Sequence, residues 1–272
     1  MTRPVAASGS GDSFEVRSTD GVPIAVWVEG TGPPMVLVHG SFTDHTAWTV
    51  LGGELREHFT TFALDRRGFG ASGDGRDYSI ERDFEDVAAV VEAVATRSGE
   101  PVTVWGHSYG ANCAMGGADL SPAVRRLVLY EPSLGITFPA GAIEAAEAAL
   151  AAGDREAAVE RLLFDVFEMS QEEVDGVRSG PRWPVILASA HTAPREGRVE
   201  ESWVYEPGRF DAIAAPTLLL SGSESPSSTI AATQRAADAI PDARIQTLEG
   251  HGHFAHRDDP AMVVSVIRAF LA

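Results

Sequence analysis

The sequence predicts an α/β fold with a mostly parallel sheet of about eight strands and helices on both of its faces. Short apolar runs rich in Val, Leu, Ile or Thr recur at residues 35–40, 60–65, 102–106, 125–131, 216–222 and 243–250. Helix-forming segments, such as 79–97 and 227–240, separate most of these runs. Apolar strands that alternate with helices are typical of a parallel sheet that is buried on both faces.

Two further strands are predicted before this alternation begins. The runs FEVRST (14–19) and VPIAVWVEG (22–30) stand on either side of Asp20 and Gly21. An Asp-Gly pair between two strand-like runs favours a tight turn. We therefore expect an antiparallel hairpin at one edge of the sheet.

One interval, residues 133–207, contains no good strand. It is rich in alanine and other helix formers, and Gly153 with Asp154 indicates that one helix ends and another begins. We interpret it as a helical cap inserted after the sixth strand. The predicted domains are then a core, residues 1–132 and 208–272, and a cap, residues 133–207.

Composition limits the classes of partner. Of the 272 residues, 44% are apolar and 22% are charged, and the formal charge is −18. Such a charge repels nucleic-acid phosphates and anionic membranes. No apolar run approaches the roughly 18 residues of a membrane helix. We expect neither nucleic acid nor membrane as a partner, and the sequence leaves open whether the protein forms a homo-oligomer.

The N-terminal segment favours a cytoplasmic protein, and the cysteine content is compatible with a reducing compartment. The start, MTRPVAASGSGDSF, has no apolar segment of the kind found in signal peptides, and reads as a frayed leader to the first strand. Cys113 is the single cysteine, so an intrachain disulfide is excluded.

The stretch GHSYG (106–110) supplies a candidate nucleophile. It matches G-x-S-x-G between a buried strand and a helix of small residues. In that context a strained turn lifts the serine hydroxyl above the sheet, and the flanking glycines let strand and helix pass closely. We therefore predict that Ser108 is a nucleophile. The N–H of Tyr109, at the helix N-terminus, would face a developing oxyanion.

A serine nucleophile needs a base, which in a parallel sheet lies on a loop after a strand. His251 and His253, in LEGHGHFAHRDDP, follow the last strand. His253 is the preferred base, because Gly252 permits a tight turn before it and Phe254 can pack the loop down. His251 remains the alternative.

The base in turn needs a carboxylate, and two strand ends offer one. Glu131 ends the strand LVLYE and is followed by a proline, whereas Glu224 lies in the Gly-Ser-rich loop SGSESP. We favour Glu131 and keep Glu224 as the alternative acid. The loop that begins His39-Gly40 completes the site, with the N–H of Ser41, or less favourably Phe42, as the second oxyanion donor.

Taken together, these residues resemble the α/β-hydrolase superfamily over nearly the whole chain. Besides the GHSYG turn and the His39-Gly40 loop, ALDRRGFGASG (63–73) resembles the family's D-x-R-G-x-G-x-S turn, and GHGHFA (250–255) resembles its catalytic-histidine loop. The segment AGDREAAVER (152–161) is similar to a helix of capped, actinobacterial-type members that use serine and whose substrates are unassigned.

One departure from the family pattern bears on the acid. Many members carry an aspartate in a G-x-x-D pattern after the seventh strand, and here the matching position is Ser225. Members resembling haloalkane dehalogenases use a glutamate after the sixth strand instead. The resemblance therefore favours Glu131. Those dehalogenases use an aspartate nucleophile, so Ser108 indicates acyl chemistry.

The predicted function is a cofactor-independent serine hydrolase that cleaves a carboxylic ester, lactone or thioester through an acyl-enzyme. No metal is implied, because two histidines at positions i and i+2 do not form a site without further ligands. The alternatives are a lyase, cyclase or C–C hydrolase acting on a natural product, and a ligand receptor of the same fold.

Aromatic residues of the predicted cap indicate a small-molecule substrate that is apolar or aromatic. The residues that could line the pocket are Phe138, Phe164, Phe167, Trp183, His191 and Trp203.

Overall fold

The computed structural model describes residues 12–167 and 169–272. Most of the predicted leader therefore lies outside the described residues. Eight strands form one sheet in the order β1-β2-β4-β3-β5-β6-β7-β8. The strands are β1 Asp12–Arg17, β2 Pro23–Gly30, β3 Pro34–Val38, β4 Thr60–Leu64, β5 Val102–His107, β6 Val124–Tyr130, β7 Thr217–Gly222 and β8 Ala243–Leu248.

Helices fill the intervals between the strands after β3. A 3₁₀ helix spans His45–Leu51, and the α-helices are α1 Gly52–Arg56, α2 Ile80–Ser98, α3 Tyr109–Leu120, α4 Ala142–Ala151, α5 Arg155–Asp165, α6 Gln171–Ser179, α7 Trp183–Ala188, α8 Ala193–Ser202, α9 Ser227–Asp238, α10 Ala255–Asp258 and α11 Pro260–Leu271. None of the helices within the described ranges is long and apolar enough to cross a membrane.

The strand directions in the sheet agree with those predicted from the sequence. Strands β3 to β8 pair in parallel, whereas β1 and β2 form an antiparallel hairpin that continues onto β4. The hairpin closes with Arg17 opposite Pro23, and Gly21 in the turn has a φ of 86°. The α/β fold with its edge hairpin is thus confirmed.

The sheet order determines where a site can form. Strand β3 has β4 on one side and β5 on the other, so the direction of winding changes at β3. In open α/β sheets, ligands bind at such a switch point, beyond the carboxyl ends of the strands. The loop after β3 and the turn after β5 both begin there, and these are the segments that contain Ser41 and Ser108.

Side chains of the central strands fill two apolar layers. Every residue of β5 is buried. Successive side chains point to opposite faces, so Val104 joins the layer under α2 and α3 while Trp105 joins the layer under α11. A strand that is apolar on both faces is stable only when helices cover both, which is the arrangement observed.

Among the described residues between β6 and β7 there are five helices, α4 to α8. The predicted interruption at Gly153 and Asp154 is observed, with Gly153 at a φ of 82° and the Asp154 carboxylate accepting from the N–H of Ala157 as an N-cap. These helices have apolar clusters of their own, one of which includes Val159, Leu163 and Trp183. The division of the chain into a core and a cap at residues 133 and 207 stays a prediction.

Close packing of the GHSYG turn is testable with a matched pair of glycine variants. A Cβ at Gly110 would lie 2.2 Å from the carbonyl oxygen of His39, whereas a Cβ at Gly176, in α6, would meet no atom within 4 Å. We expect Gly110→Ala to lower the free energy of unfolding by about 1–3 kcal/mol. Gly176→Ala should leave it equal or raise it by up to about 1 kcal/mol, since alanine favours helix. Urea unfolding measures both, and equal values for the two variants would contradict this packing.

Candidate active site

Ser108 occupies a strained turn between β5 and α3. Its φ is 56° and its ψ is −129°, a conformation that a residue with a side chain adopts only under constraint. The turn is so tight that a Cβ at Gly106 would lie 2.4 Å from the carbonyl oxygen of Gly110. The N–H of Ser108 donates to the carbonyl oxygen of Tyr130 at 2.8 Å, which joins the turn to β6.

The structure brings the preferred acid and the preferred base together. Nδ1 of His253 lies 2.5 Å from Oε2 of Glu131, and Glu131 has no solvent-exposed surface. A carboxylate at Nδ1 holds the proton on that nitrogen and leaves Nε2 free to accept another. The His253 ring lies beside His107, with their centroids 4.6 Å apart, and His107 is the residue before Ser108.

The second oxygen of Glu131 is held from β7. Oε1 accepts from the N–H of Gly222 at 2.7 Å and from the hydroxyl of Ser225 at 2.6 Å. Ser225 is buried and stands at the position where the resemblance expects an aspartate. Ser225, at the position where an aspartate is expected, therefore supports the Glu131 carboxylate at the end of the neighbouring strand β6. A buried carboxylate needs such donors, because leaving its oxygens unpaired is costly.

Neither alternative residue makes the corresponding contact. The side chain of Glu224 is exposed. Its backbone N–H donates to the carbonyl oxygen of His251 at 2.9 Å, which joins Glu224 to the loop after β8 through the main chain. Nδ1 of His251 lies 2.8 Å from the carbonyl oxygen of Glu249. Of the residues proposed as acid and base, Glu131 and His253 alone form a pair.

Two aromatic side chains beneath the His253 loop fix its backbone. The Tyr130 hydroxyl donates to the carbonyl oxygen of Gly252 and accepts from the N–H of Ala255. Nε2 of His107 lies 2.9 Å from the carbonyl oxygen of His253. Burial, with His256 and His253 nearby, holds the pKa of His107 well below its usual range. The ring is therefore neutral, and its Nε2–H donates to that carbonyl.

The loop after β3, residues 39–44, contains the predicted oxyanion donors Ser41 and Phe42, and we call it the oxyanion loop. Gly40 lies against Ser108, since a Cβ placed on it would be 3.0 Å from Cβ of Ser108. The Gly40 carbonyl oxygen points towards Arg66, whose Nη2 donates to it at 3.2 Å. In a trans peptide the next N–H points the opposite way, so the N–H of Ser41 faces away from Arg66. Phe42, the alternative donor, has a φ of 57°.

Tyr109, the other predicted oxyanion residue, is the first residue of α3. N–H groups in the first turn of a helix have no acceptor within the helix, and the helix dipole makes this end attractive to negative charge. The Tyr109 phenol is buried away from the turn, with its hydroxyl 2.7 Å from that of Tyr78. The backbone, not the side chain, is what Tyr109 offers to a ligand.

A buried ion pair connects the oxyanion loop to α8. Nη2 of Arg66 donates to Oε1 of Glu196 at 2.7 Å, and the hydroxyl of Ser41 donates to Oε2 at 2.6 Å. Both partners of the ion pair are almost completely buried. Burial alone would lower the pKa of Arg66, but the negative charge of Glu196 raises it well above its usual value. Arg66 is therefore charged, and Glu196 balances that charge.

The aromatic residues predicted to line a pocket have different positions. Phe138 and Phe167 line a cleft beside Ser41 and Phe42. Trp183 and Phe164 pack within the helical cluster of α5 to α7. His191 contacts Asp74, and Trp203 stacks on Phe210 in the main core.

One group of side chains has the spacing of a metal site. Asp44, His45 and Asp65 place one ligand atom each within 4.8 Å of one another. Protein donors already occupy Asp65, because its Oδ1 accepts from the N–H of His45 and its Oδ2 accepts from the N–H of Ala71. Asp65 therefore holds together the turn of residues 63–73 and the backbone at His45.

Sequence reasoning missed four residues that position the site, namely Tyr130, Ser225, Arg66 and Glu196. Ser225 had a signal, since it replaces an expected carboxylate. Tyr130 had a weaker one, as a polar aromatic residue at the end of an apolar strand. Nothing in the sequence links Glu196 to Ser41, because 155 residues separate them.

Comparison with known proteins agrees with the observed fold. The model of the alpha/beta hydrolase family matches residues 35–266. The crystal structure of an alpha/beta hydrolase from Sphaerobacter thermophilus is 34% identical, with a TM-score of 0.79 over 93% of this chain and 99% of that chain. An esterase from a Rhodococcus species is 25% identical, with a TM-score of 0.66 over 94% of this chain and 97% of that one.

A curated relative has a different named activity. The 2-hydroxymuconate semialdehyde hydrolase of a Pseudomonas species is 28% identical over 257 residues, which is 89% of this chain and 88% of the relative.

The buried ion pair can be tested against an exposed one. We expect Glu196→Gln to lower the free energy of unfolding by about 3 kcal/mol, because it leaves the buried Arg66 without its closest counter-charge. Glu147→Gln is the matched control, since Glu147 pairs with Arg198 at 2.7 Å on the surface. Loss of an exposed pair should change stability little. Chemical unfolding gives both values, and a similar small change in each would refute the role given to Glu196.

Proposed function

The chain belongs to the alpha/beta hydrolase family, and from that premise we propose that it is a serine hydrolase that forms an acyl-enzyme on Ser108. The observation that carries the proposal is the 2.5 Å contact between Nδ1 of His253 and Oε2 of Glu131. Such a pair gives histidine the tautomer that a serine nucleophile requires. The proposed substrate is a carboxylic ester, lactone or thioester.

In the acylation step, Nε2 of His253 removes the proton from the Ser108 hydroxyl as its oxygen attacks the carbonyl carbon. Glu131 stabilises the imidazolium that forms. The N–H groups of Ser41 and Tyr109 stabilise the oxyanion. His253 then gives its proton to the leaving alcohol or thiol, and the carbon–heteroatom bond breaks.

Deacylation repeats these steps with water. His253 removes a proton from water, the hydroxide attacks the acyl carbon, and the proton passes to the Ser108 oxygen as the acid product leaves. The strain at Ser108 supports this role, because strained backbone persists where function requires a fixed side chain. The similarity to the Rhodococcus esterase supports ester substrates.

A second candidate is hydrolysis of a carbon–carbon bond. It is favoured by the similarity to 2-hydroxymuconate semialdehyde hydrolase. The two reactions differ in their second product. Ester hydrolysis releases an alcohol, whereas C–C hydrolysis releases a fragment that carries no hydroxyl group at the cleaved position. Product analysis by mass spectrometry distinguishes them.

The catalytic assignment is tested by hydrolysis of short and medium-chain p-nitrophenyl esters. We expect Ser108→Ala and Glu131→Gln to lower kcat/KM by about 10³-fold or more, because they remove the nucleophile and the group that orients the base. Glu224→Gln should keep wild-type activity, since Glu224 is exposed. Loss in Glu224→Gln with retention in Glu131→Gln would refute the assigned acid, and full activity of Ser108→Ala would refute the nucleophile.

The support that Ser225 gives to Glu131 has its own test. Ser225→Ala removes one of the two donors to Oε1 of Glu131, and a hydrogen bond to a charged group is worth about 1.5–3 kcal/mol. We expect kcat on the same esters to fall about tenfold. Ser228→Ala, on the exposed side of α9, is the control. Equal rates for the two variants would show that Gly222 alone suffices.

A further inference from the structure

A cleft opens between the oxyanion loop and helices α4, α5 and α8. Most of its lining is apolar, and the side chains that make it so are Phe42, Phe138, Ile143, Leu162, Val166 and Phe167. Two carboxyl groups interrupt this lining, those of Glu196 and Glu200. Residues four apart on a helix share a face, so both carboxyl groups of α8 point to the same side.

The two carboxyl groups have different surroundings. Both oxygens of Glu196 are engaged, by Arg66 and by the Ser41 hydroxyl. Glu200 belongs to no ion pair in the part of the chain that the structure describes, and its bonded neighbour is the hydroxyl of Ser133. That hydroxyl in turn accepts from Nδ2 of Asn112 at 2.9 Å. Glu200 is therefore the polar group of the cleft with bonding capacity left for a ligand.

Glu200 has the surroundings of a neutral acid. Burial raises the pKa of its carboxyl, the Ser133 hydrogen bond opposes this, and the nearby Glu196 raises the pKa further, to about 8. A carboxyl group is protonated below its pKa, so at pH 7 Glu200 carries a hydrogen and donates.

The position of the cleft indicates which half of a substrate it receives. His253 must reach the leaving group to protonate it, so the leaving group lies on the side of the His253 loop. The cleft is lined by Ser41 and Phe42 of the oxyanion loop and by no residue of 249–258. The acyl half of the substrate, on the other side of the carbonyl, therefore extends into the cleft.

We propose that this cleft binds an acyl chain that is apolar and carries a neutral oxygen acceptor, such as a ketone, to which the Glu200 carboxyl donates a hydrogen bond. The proposal rests on the proposed function and narrows its substrate class. Acyl chains that end in a carboxylate are rejected, since their charge would enter a mostly apolar lining that includes no cation among the described residues, and the nearby Arg66 is already paired with Glu196.

The test compares three p-nitrophenyl esters of matched length, the hexanoate, the 5-oxohexanoate and the monoester of adipic acid. We expect the wild type to prefer the 5-oxohexanoate over the hexanoate about fivefold in kcat/KM, the worth of one hydrogen bond. The adipate monoester should be the poorest substrate. The ratio of the first two rates is the measured quantity, and it is taken within each variant.

The variants identify Glu200 as the donor. Glu200→Leu should bring the ratio to about one, while Glu200→Gln should keep it, because the amide also donates. The pH dependence of the same rate ratio is a second test of the donor. Above pH 8 the Glu200 carboxyl of the wild type loses its proton, so the wild-type ratio should fall towards one by pH 9. The ratio of Glu200→Gln should not change over this range, because the amide does not lose its hydrogens.

Two results would overturn the proposal while leaving the proposed function intact. They are a wild-type ratio near one, and a ratio that Glu200→Leu leaves unchanged, in each case with hydrolysis that still depends on Ser108. Failure of the proposed function looks different, because then none of the three esters is cleaved faster by the wild type than by Ser108→Ala.

Discussion

A carboxylate with no access to water must have its oxygens satisfied by protein donors, and Glu131 is such a group. Its Oε1 is held by Gly222 and Ser225 at the end of β7, and its Oε2 faces Nδ1 of His253 after β8. Three consecutive strand ends of the parallel sheet thereby converge on one side chain. The position of His253 depends on this convergence, and Tyr130 and His107 secure the backbone of the same loop from below.

Backbone strain is concentrated at the same edge of the sheet. Within the described residues, the non-glycine residues with positive φ are Phe42, Ser108 and Glu131. They follow β3, β5 and β6, which are neighbours in the sheet. Strained residues cost about 1–3 kcal/mol each and persist where the surrounding structure over-determines them. Here the packing of Gly110 against β3 and the buried pair of Arg66 with Glu196 provide that constraint. We infer that the fold stores strain where the proposed chemistry needs fixed geometry.

Local patterns in the sequence predicted the fold and favoured Glu131 and His253 over Glu224 and His251, because strand periodicity and turn residues are local signals. The missing aspartate at Ser225 pointed to Glu131, but the hydrogen bond between the two depends on pairing of β6 with β7 and required the structure. The link of Ser41 to Glu196 and the exposure of Glu200 to the cleft depend on how α8 packs over the oxyanion loop. Aromatic composition could not tell Phe138, which lines the cleft, from Trp203, which packs in the core.

The central claim is that the His253 and Glu131 pair activates Ser108. The most direct test uses a fluorophosphonate, whose phosphorus is attacked by an activated serine with loss of fluoride. Intact-mass and peptide-mapping mass spectrometry then count and locate the phosphonyl groups. We expect one phosphonyl group per chain, on the peptide that contains Ser108, and slow labelling of Glu131→Gln. Labelling of another residue, or of Ser108 at the same rate in the wild type and in Glu131→Gln, would contradict it.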